Sequence, residues 1–333
     1  MSRPAVLVSR AMFPEVVQRL QQHFDVTSNH DDKVFSKAEL SAALQGKRGA
    51  FICGSERIDA ELLDANPQLR VVANMGVGYN NIDVDACTAR GVLVSNTPDV
   101  LTETTADFGF ALMMGAARRV AESEHYLRRG EWKKWSYDML TGSDIHGATL
   151  GVLGMGRIGQ AIARRGALGF RMKVIYHNRS RLDAGIEAQL GARYVDKETL
   201  LREADHLMLV VPYSSASHHA IGAAELALMK PTATLTNIAR GGVVDDAALA
   251  VALAKKQIAA AGLDVFEGEP ALNPALLAVP NVVLTPHIAS ATVATRRAMA
   301  DLTVDNLIAA LGYGPQAGRP PTPVNPGVLP LRP

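Results

Sequence analysis

Three short stretches each place a reactive side chain just past an apolar, strand-like run. In TNIARGGVVDDAAL the residue is Arg240. AGLDVFEGEPAL carries Asp264, then Glu267 and Glu269, and VVLTPHIASAT carries His287. An open α/β sheet binds ligands outside the carboxyl ends of its strands, so all three stretches would deliver their residues to one edge. The residue types suit proton-coupled reduction of a 2-keto acid. A fixed guanidinium such as Arg240 can hold the carboxylate and the keto oxygen. The imidazole of His287 can protonate a developing alkoxide near neutral pH. A carboxylate beside the imidazole orients it and favours its charged form, and Glu269 is assigned that place. The hydride itself must come from a cofactor. Each residue also has a plain structural alternative: Arg240 as a loop cap, Glu269 as a surface acid, His287 as a satisfied structural histidine. Their convergence on one edge is the stronger signal.

The cofactor has its own signature. TLGVLGMGRIGQAIARR carries Gly154, Met155, Gly156, Arg157, Ile158 and Gly159, with a strand before and a helix after. That context turns a bare GxGxxG into a dinucleotide cradle. Gly154 permits the tight turn, Gly156 lets backbone approach a pyrophosphate, and Gly159 lets helix pack on strand. The helix N-terminus then faces the phosphates with free N–H groups. The next strand runs into VIYHNRSR and ends at Asn178, twenty-two residues past Gly156. An acid there would bind a ribose 2′-hydroxyl and repel a 2′-phosphate. A neutral amide stands there instead, followed by Arg179, Ser180 and Arg181. A guanidinium fork and a hydroxyl can grip a phosphate, so NADP(H) is expected in preference to NAD(H). The alternative is a solvated loop with chance arginines. His218-His219 invites a metal reading, but no nearby acid or cysteine completes a site in the sequence, and a solvated helix start is expected; no metal is assigned.

These residues need a scaffold. Strand candidates are 5–8, 50–53, 70–73, 92–95, 149–153, 173–176, 206–211, 232–237, 260–264 and 282–285. Many are apolar on both parities, as in a parallel sheet covered on both faces. Helical segments such as 157–168 and 245–255 alternate with them, which argues for doubly wound α/β units. A long helical stretch over 101–129 separates two strand sets and looks like a connector plus an arm. A Pro- and Gly-rich tail from Gly312 is expected to hug the surface or hang loose.

At 333 residues the chain is long enough for two domains. A net charge of +1 offers no strong field for nucleic acid or an anionic membrane. Two cysteines, Cys53 and Cys87, make a disulfide scaffold unexpected and fit a reducing compartment. The four-residue apolar run near the start is too short for a signal-peptide core, and FGFALMMGAA is too short to span a bilayer. A cytoplasmic protein is expected.

LGMGRIGQAIARR, NIARGGVVDD, GLDVFEGEP and TPHIASAT together resemble the motifs of the D-isomer-specific 2-hydroxyacid dehydrogenases. The resemblance runs over nearly the full length and looks strongest toward glyoxylate/hydroxypyruvate and 2-ketogluconate reductases. It implies a catalytic trio falling on Arg240, Glu269 and His287, with substrate at Arg240 and His287. It also implies that the GVG loop in NMGVGYNNID, at Val77 and Gly78, binds the substrate carboxylate. Glycine allows the close backbone approach such a role needs, although a plain strand-to-helix turn is the alternative. Family precedent places Thr105, Pro212, Ile238, Asp264 and Ala289 against the cofactor, with Asp264 at the nicotinamide end. Trp135, in RGEWKKWSYDMLTG, would reach a partner's pocket or serve simply as an interface or core residue.

The implied fold is two Rossmann-like doubly wound parallel-sheet domains. The cofactor domain, 102–288, is inserted into a discontinuous flavodoxin-like substrate domain, 1–101 plus 289–333. A hinged cleft and a homodimer joined through the cofactor domain and a 120–146 arm follow from the same resemblance. The expected activity is an NADPH-dependent reduction of glyoxylate or hydroxypyruvate. A 2-ketogluconate reductase or another D-2-hydroxyacid dehydrogenase is the alternative. A nucleotide-sensing, corepressor-like binding protein is the alternative of a different class.

Overall fold

The computed structural model describes residues 3–331. The chain forms two compact units, one of residues 1–101 and 292–333 and the other of residues 102–291. The second crossing thus falls at Thr292, not at residue 289. The physical reason is Asp264, whose carboxylate takes the N–H groups of Ile288 and Ala289 at 2.8 Å each and ties them to the larger unit.

In the smaller unit the strands are β1 (Ala5–Val8), β2 (Asp25–Ser28), β3 (Gly49–Ile52), β4 (Val71–Asn74) and β5 (Leu93–Ser95). They pair in parallel in the order β2-β1-β3-β4-β5, the flavodoxin-like arrangement. In the larger unit they are β6 (Thr149–Leu153), β7 (Lys173–His177), β8 (Ala192–Tyr194), β9 (His206–Leu209), β10 (Thr234–Asn237), β11 (Ala260–Leu263) and β12 (Val282–Leu284). Their order is β12-β11-β10-β9-β6-β7-β8, again all parallel. Strand order reverses at β6, the switch point at which doubly wound sheets bind dinucleotides.

Strands β3, β4, β9, β10 and β11 are buried at every residue; β3, β4, β9 and β11 are correspondingly apolar on both parities, whereas β10, with TLTN, buries two threonines and an asparagine. Two apolar cores flank the larger sheet. One gathers Leu207, Leu235, Leu249 and Leu263, the other Phe110, Met113, Ile162 and Tyr176. The 101–129 stretch is two helices, Thr102–Ala117 and Val120–Arg128. Arg119 between them adopts a left-handed conformation at φ 54°, which ends the first helix without a proline or glycine. The 157–168 segment is an α-helix only over Arg157–Arg164, continuing as a π-turn to Gly169. The tail docks rather than hangs loose. Asn325 accepts the Val94 N–H at 2.8 Å and donates to the Val92 carbonyl at 3.0 Å, along β5. The tail's last two residues lie outside the described ones. Cys53 and Cys87 are both free. No helix among the described residues is long and apolar enough to cross a membrane.

His206 in β9 is wholly buried, with Nδ1 2.8 Å from the Thr234 hydroxyl and Nε2 3.0 Å from the Asp144 carbonyl. Burial pushes its pKa below the ordinary 6.5, against the opposing pull of the Asp144 carbonyl and the Asp205 charge. An unfolded chain would protonate this ring first, so its contribution to stability is complete above about pH 6.5 and is lost as pH falls below that value. Thermal melts should therefore show the melting temperature falling between about pH 7 and pH 5, with a shallower fall in His206→Gln. Parallel slopes in the two proteins would exclude His206 as a source of the acid sensitivity.

Candidate active site

Each reactive residue stands in a loop that leaves the carboxyl end of a strand in the larger unit. Arg240 follows β10, Asp264 and Glu269 follow β11, and His287 follows β12. The loops are cross-braced. The Asn237 amide, at the end of β10, donates to the Arg240 carbonyl at 3.2 Å, and Arg240 Nη1 donates to the Ala239 carbonyl at 2.7 Å. Gly241 packs so closely that an added Cβ would lie 1.7 Å from the Phe266 carbonyl oxygen. The loop bearing Arg240 and the loop leading to Glu269 therefore touch through their backbones. Asp246, buried in the first turn of the helix Asp246–Ala254, accepts the Glu267 N–H at 3.0 Å.

Glu269 divides its two oxygens. Oε1 accepts the Phe266 N–H at 2.7 Å, and Oε2 lies 2.8 Å from His287 Nδ1. Burial pushes the Glu269 pKa up, but the His287 hydrogen bond, the Phe266 N–H and the charges of His287 and Arg240 outweigh it, leaving the pKa below the ordinary value. Burial lowers the Arg240 pKa, and the Glu269 charge opposes that. The guanidinium, carboxylate and imidazole thus form one electrostatic group. His287 adopts a left-handed conformation at φ 55°, unusual for a residue with a side chain. Asp264 braces that loop. It is fully buried, and besides the Ile288 and Ala289 N–H groups it accepts from the Thr285 hydroxyl at 2.7 Å.

The glycine cradle lies in the same unit, after β6. Gly154 has φ 101°, and a Cβ there would meet the Val210 backbone at 2.8 Å. A Cβ at Gly159 would lie 2.3 Å from the Gly154 carbonyl, so helix and turn are in contact there. Gly156 is the N-cap of the helix Arg157–Arg164, has no side-chain cap, and has open space where a Cβ would project. An uncapped helix start with an open approach fits a pyrophosphate. Met155 is buried and Ile158 half-buried. Thr105 adds a second observation, since its hydroxyl is buried with no hydrogen-bond partner among the described residues. Ile238 and Ala289 are buried beside this edge, and Pro212 is exposed, its carbonyl accepting from Ser217 at 2.9 Å.

Some expectations need correction. Arg181 is exposed like Arg179 and Ser180, but its guanidinium is already paired with Glu187 at 2.7 Å. Asn178 Oδ1 accepts the Met155 N–H at 2.6 Å, so this amide also closes the cradle. His218-His219 lies in a turn rather than at a helix start, and an acid does stand nearby: His219 Nε2 is 2.9 Å from Glu267. Those three residues are exposed and could reach one cation, but the His219–Glu267 ion pair already accounts for their approach. In the smaller unit, side-chain amides tie the expected carboxylate loop. Asn96 donates to the Val77 carbonyl at 2.8 Å and Asn74 to the Gly78 carbonyl at 3.0 Å. Trp135 is 74% exposed on the arm, beside exposed Trp132 and Tyr137, and so is no core residue of this chain.

Residues 110–289 match the family described as D-isomer specific 2-hydroxyacid dehydrogenase, NAD binding domain. The chain belongs to the D-isomer specific 2-hydroxyacid dehydrogenases. Among curated relatives of this dehydrogenase, a glyoxylate reductase of Thermococcus onnurineus is 46% identical over 334 residues, covering 99% of this chain and 98% of the relative. A glyoxylate reductase of Aeropyrum pernix is also 46% identical, covering 100% and 99%. Among solved structures, an NADPH-dependent glyoxylate/hydroxypyruvate reductase of Sinorhizobium meliloti, in complex with NADP and malonate, superposes with a TM-score of 0.86. It is 39% identical and covers 100% of this chain and 99% of its own. This 2-hydroxyacid dehydrogenase is therefore an oxidoreductase with a nicotinamide-dinucleotide-binding domain. Sequence reading missed Gly241, Asp246 and Thr285 in it. The doubled glycine after Arg240 and the doubled acid at 245–246 were visible signals, but neither indicates its partner.

Proposed function

We propose that this dehydrogenase reduces small 2-keto acids with NADPH, glyoxylate and hydroxypyruvate foremost, yielding glycolate and D-glycerate. The observation that carries this reading is the 2.8 Å Glu269–His287 pair. It lies within the electrostatic reach of Arg240, in the unit that also holds the glycine cradle. Gly154, Met155, Gly156, Arg157 and Ile158 would hold the pyrophosphate, and Asn178, Arg179 and Ser180 the adenosine ribose and its 2′-phosphate. Thr105, Pro212, Ile238, Asp264 and Ala289 would line the remainder of the dinucleotide. When bound, the reduced nicotinamide supplies the hydride. The protein's residues do the rest. Arg240 binds the substrate carboxylate and draws charge toward the keto oxygen. With Nδ1 turned to Glu269, His287 presents Nε2 and gives its proton to the developing alkoxide. Glu269 stays ionised and stabilises the imidazolium before that transfer. The NADPH named for the Sinorhizobium meliloti relative supports the cofactor preference. A homodimer joined through the aromatic-rich 120–146 arm completes the reading.

A steady-state panel tests it. Glyoxylate, hydroxypyruvate and 2-ketogluconate are each offered with NADPH and with NADH. Turnover of the first two, faster with NADPH, is the expected result. Arg179→Asp should then raise KM for NADPH by roughly 10²-fold, as expected when a charge-assisted phosphate contact becomes a repulsion, and leave NADH nearly unaffected. Equal losses with both dinucleotides would refute the 2′-phosphate assignment. Tight NADPH binding without turnover of any 2-keto acid would refute the enzyme reading.

A further inference from the structure

The loop that follows β7 is fastened by a network whose key members lie below the surface. Tyr176, the fourth residue of β7, is wholly buried. Its hydroxyl donates to Glu187 Oε1 at 2.7 Å and accepts the Leu182 N–H at 2.8 Å. Glu187, on the helix Ala184–Leu190, is only 7% exposed. It receives Arg181 through both oxygens, with Nε at 2.9 and 3.1 Å and Nη2 at 2.7 Å. At the other end of the loop Asn178 is held twice, through its side chain to the Met155 N–H at 2.6 Å and through its carbonyl to the Tyr194 hydroxyl at 3.2 Å. Between these fastenings stand Arg179 and Ser180, both exposed. Arg179 makes no ion pair among the described residues.

A buried carboxylate needs a partner charge, and here the loop's own arginine supplies it. Glu187 consequently offsets the charge of Arg181, although that side chain stays exposed, and leaves Arg179 as the loop's exposed cation without an ion pair among the described residues. The phenol adds direction, since a hydroxyl that both donates and accepts fixes the backbone at Leu182 relative to the helix. We propose that Tyr176, Glu187 and Arg181 act as a positioning clamp that sets selectivity for dinucleotides bearing a 2′-phosphate, by fixing the posture of Arg179 and Ser180. This inference rests on the reading of that loop as a 2′-phosphate pocket.

Electrostatics alone and the clamp give opposite signs for one substitution. Glu187→Gln removes a negative charge close to the phosphate position and frees Arg181. On simple charge grounds phosphate affinity should rise; with the clamp undone it should fall. The experiment is calorimetric titration of the full-length protein with adenosine 2′,5′-bisphosphate and with 5′-AMP, for wild type, Glu187→Gln and Tyr176→Phe. The ratio of the two dissociation constants isolates the 2′-phosphate, which general loosening of the fold would not. Wild type should prefer the bisphosphate, and both variants should reduce that preference by about tenfold, the scale of one lost charge-assisted bond. The same substitutions placed on Arg179→Asp should then have no further effect. A wild-type ratio near one removes the pocket and the clamp together. A high wild-type ratio that Glu187→Gln leaves unchanged or increases keeps the pocket and overturns the clamp. Should Tyr176→Phe fail to fold, Glu187→Gln decides alone.

Discussion

His287→Ala should lower the rate of glyoxylate reduction at saturating NADPH by about 10²–10⁴-fold, the range in which positioned acid catalysis operates. The cause is local. Hydride arrival leaves charge on the keto oxygen, and without a proton donor that charge must be met by water. Glu269 cannot take over, because its pKa is lowered and one oxygen already holds the Phe266 N–H. Among the described residues the His287 side chain pairs with Glu269 rather than with the glycine cradle, so NADPH affinity, read by quenching or transfer of its fluorescence, should hardly change. Collapse of dinucleotide affinity with little loss of rate would mean that the imidazole holds cofactor and donates no proton.

Arg240→Met should have the second largest effect and a different signature. Methionine keeps much of the side-chain volume but removes every donor and the charge. The loss of the proposed charge-assisted bonds to the substrate carboxylate and the developing oxyanion is expected to cost about 3 kcal/mol, or ~10²-fold in kcat/KM. Contacts made to the carboxylate alike in ground and transition states appear in KM, and those made to the oxyanion appear in kcat. Both parameters should therefore worsen. Glu269 also loses a neighbouring positive charge that lowers its pKa, so the variant's pH–rate profile should differ in shape from that of wild type. A change in KM alone would confine Arg240 to the carboxylate. Neither parameter changing would remove it from the site.

Much of this arrangement was legible in the sequence, for a physical reason. Strands buried on both faces are mostly apolar on both parities, so β3, β4, β9 and β11 announce themselves, whereas β10, with TLTN, is buried despite its polar residues. The reactive residues stand directly after such strands, where a parallel sheet must expose its functional edge. What stayed hidden depends on partners distant in sequence. The edge strands β2, with the sequence DVTS, and β8, with ARY, carry no continuous apolar signal because neighbours cover them on one side only. Arg119 breaks a helix with no helix-breaking residue type present. The role of Gly241 appears only once Phe266 is packed against it, and that of Asp264 only once the 285–289 loop returns over it. The clash between a phosphate-binding reading of Arg181 and its grip on Glu187 is of the same kind. Residue type suggested one ligand, and the folded chain supplied another.

The most direct measurement follows the hydride. The purified protein is incubated with glyoxylate and NADPH carrying deuterium on the transferable face of C4, and the product is weighed by mass spectrometry. Glycolate bearing one deuterium at C2, formed by wild type and lost with His287→Ala, is the expected result. Oxidation of the dinucleotide with no deuterium in glycolate, or undiminished labelling in His287→Ala, would contradict the proposed chemistry of the Arg240, Glu269 and His287 group.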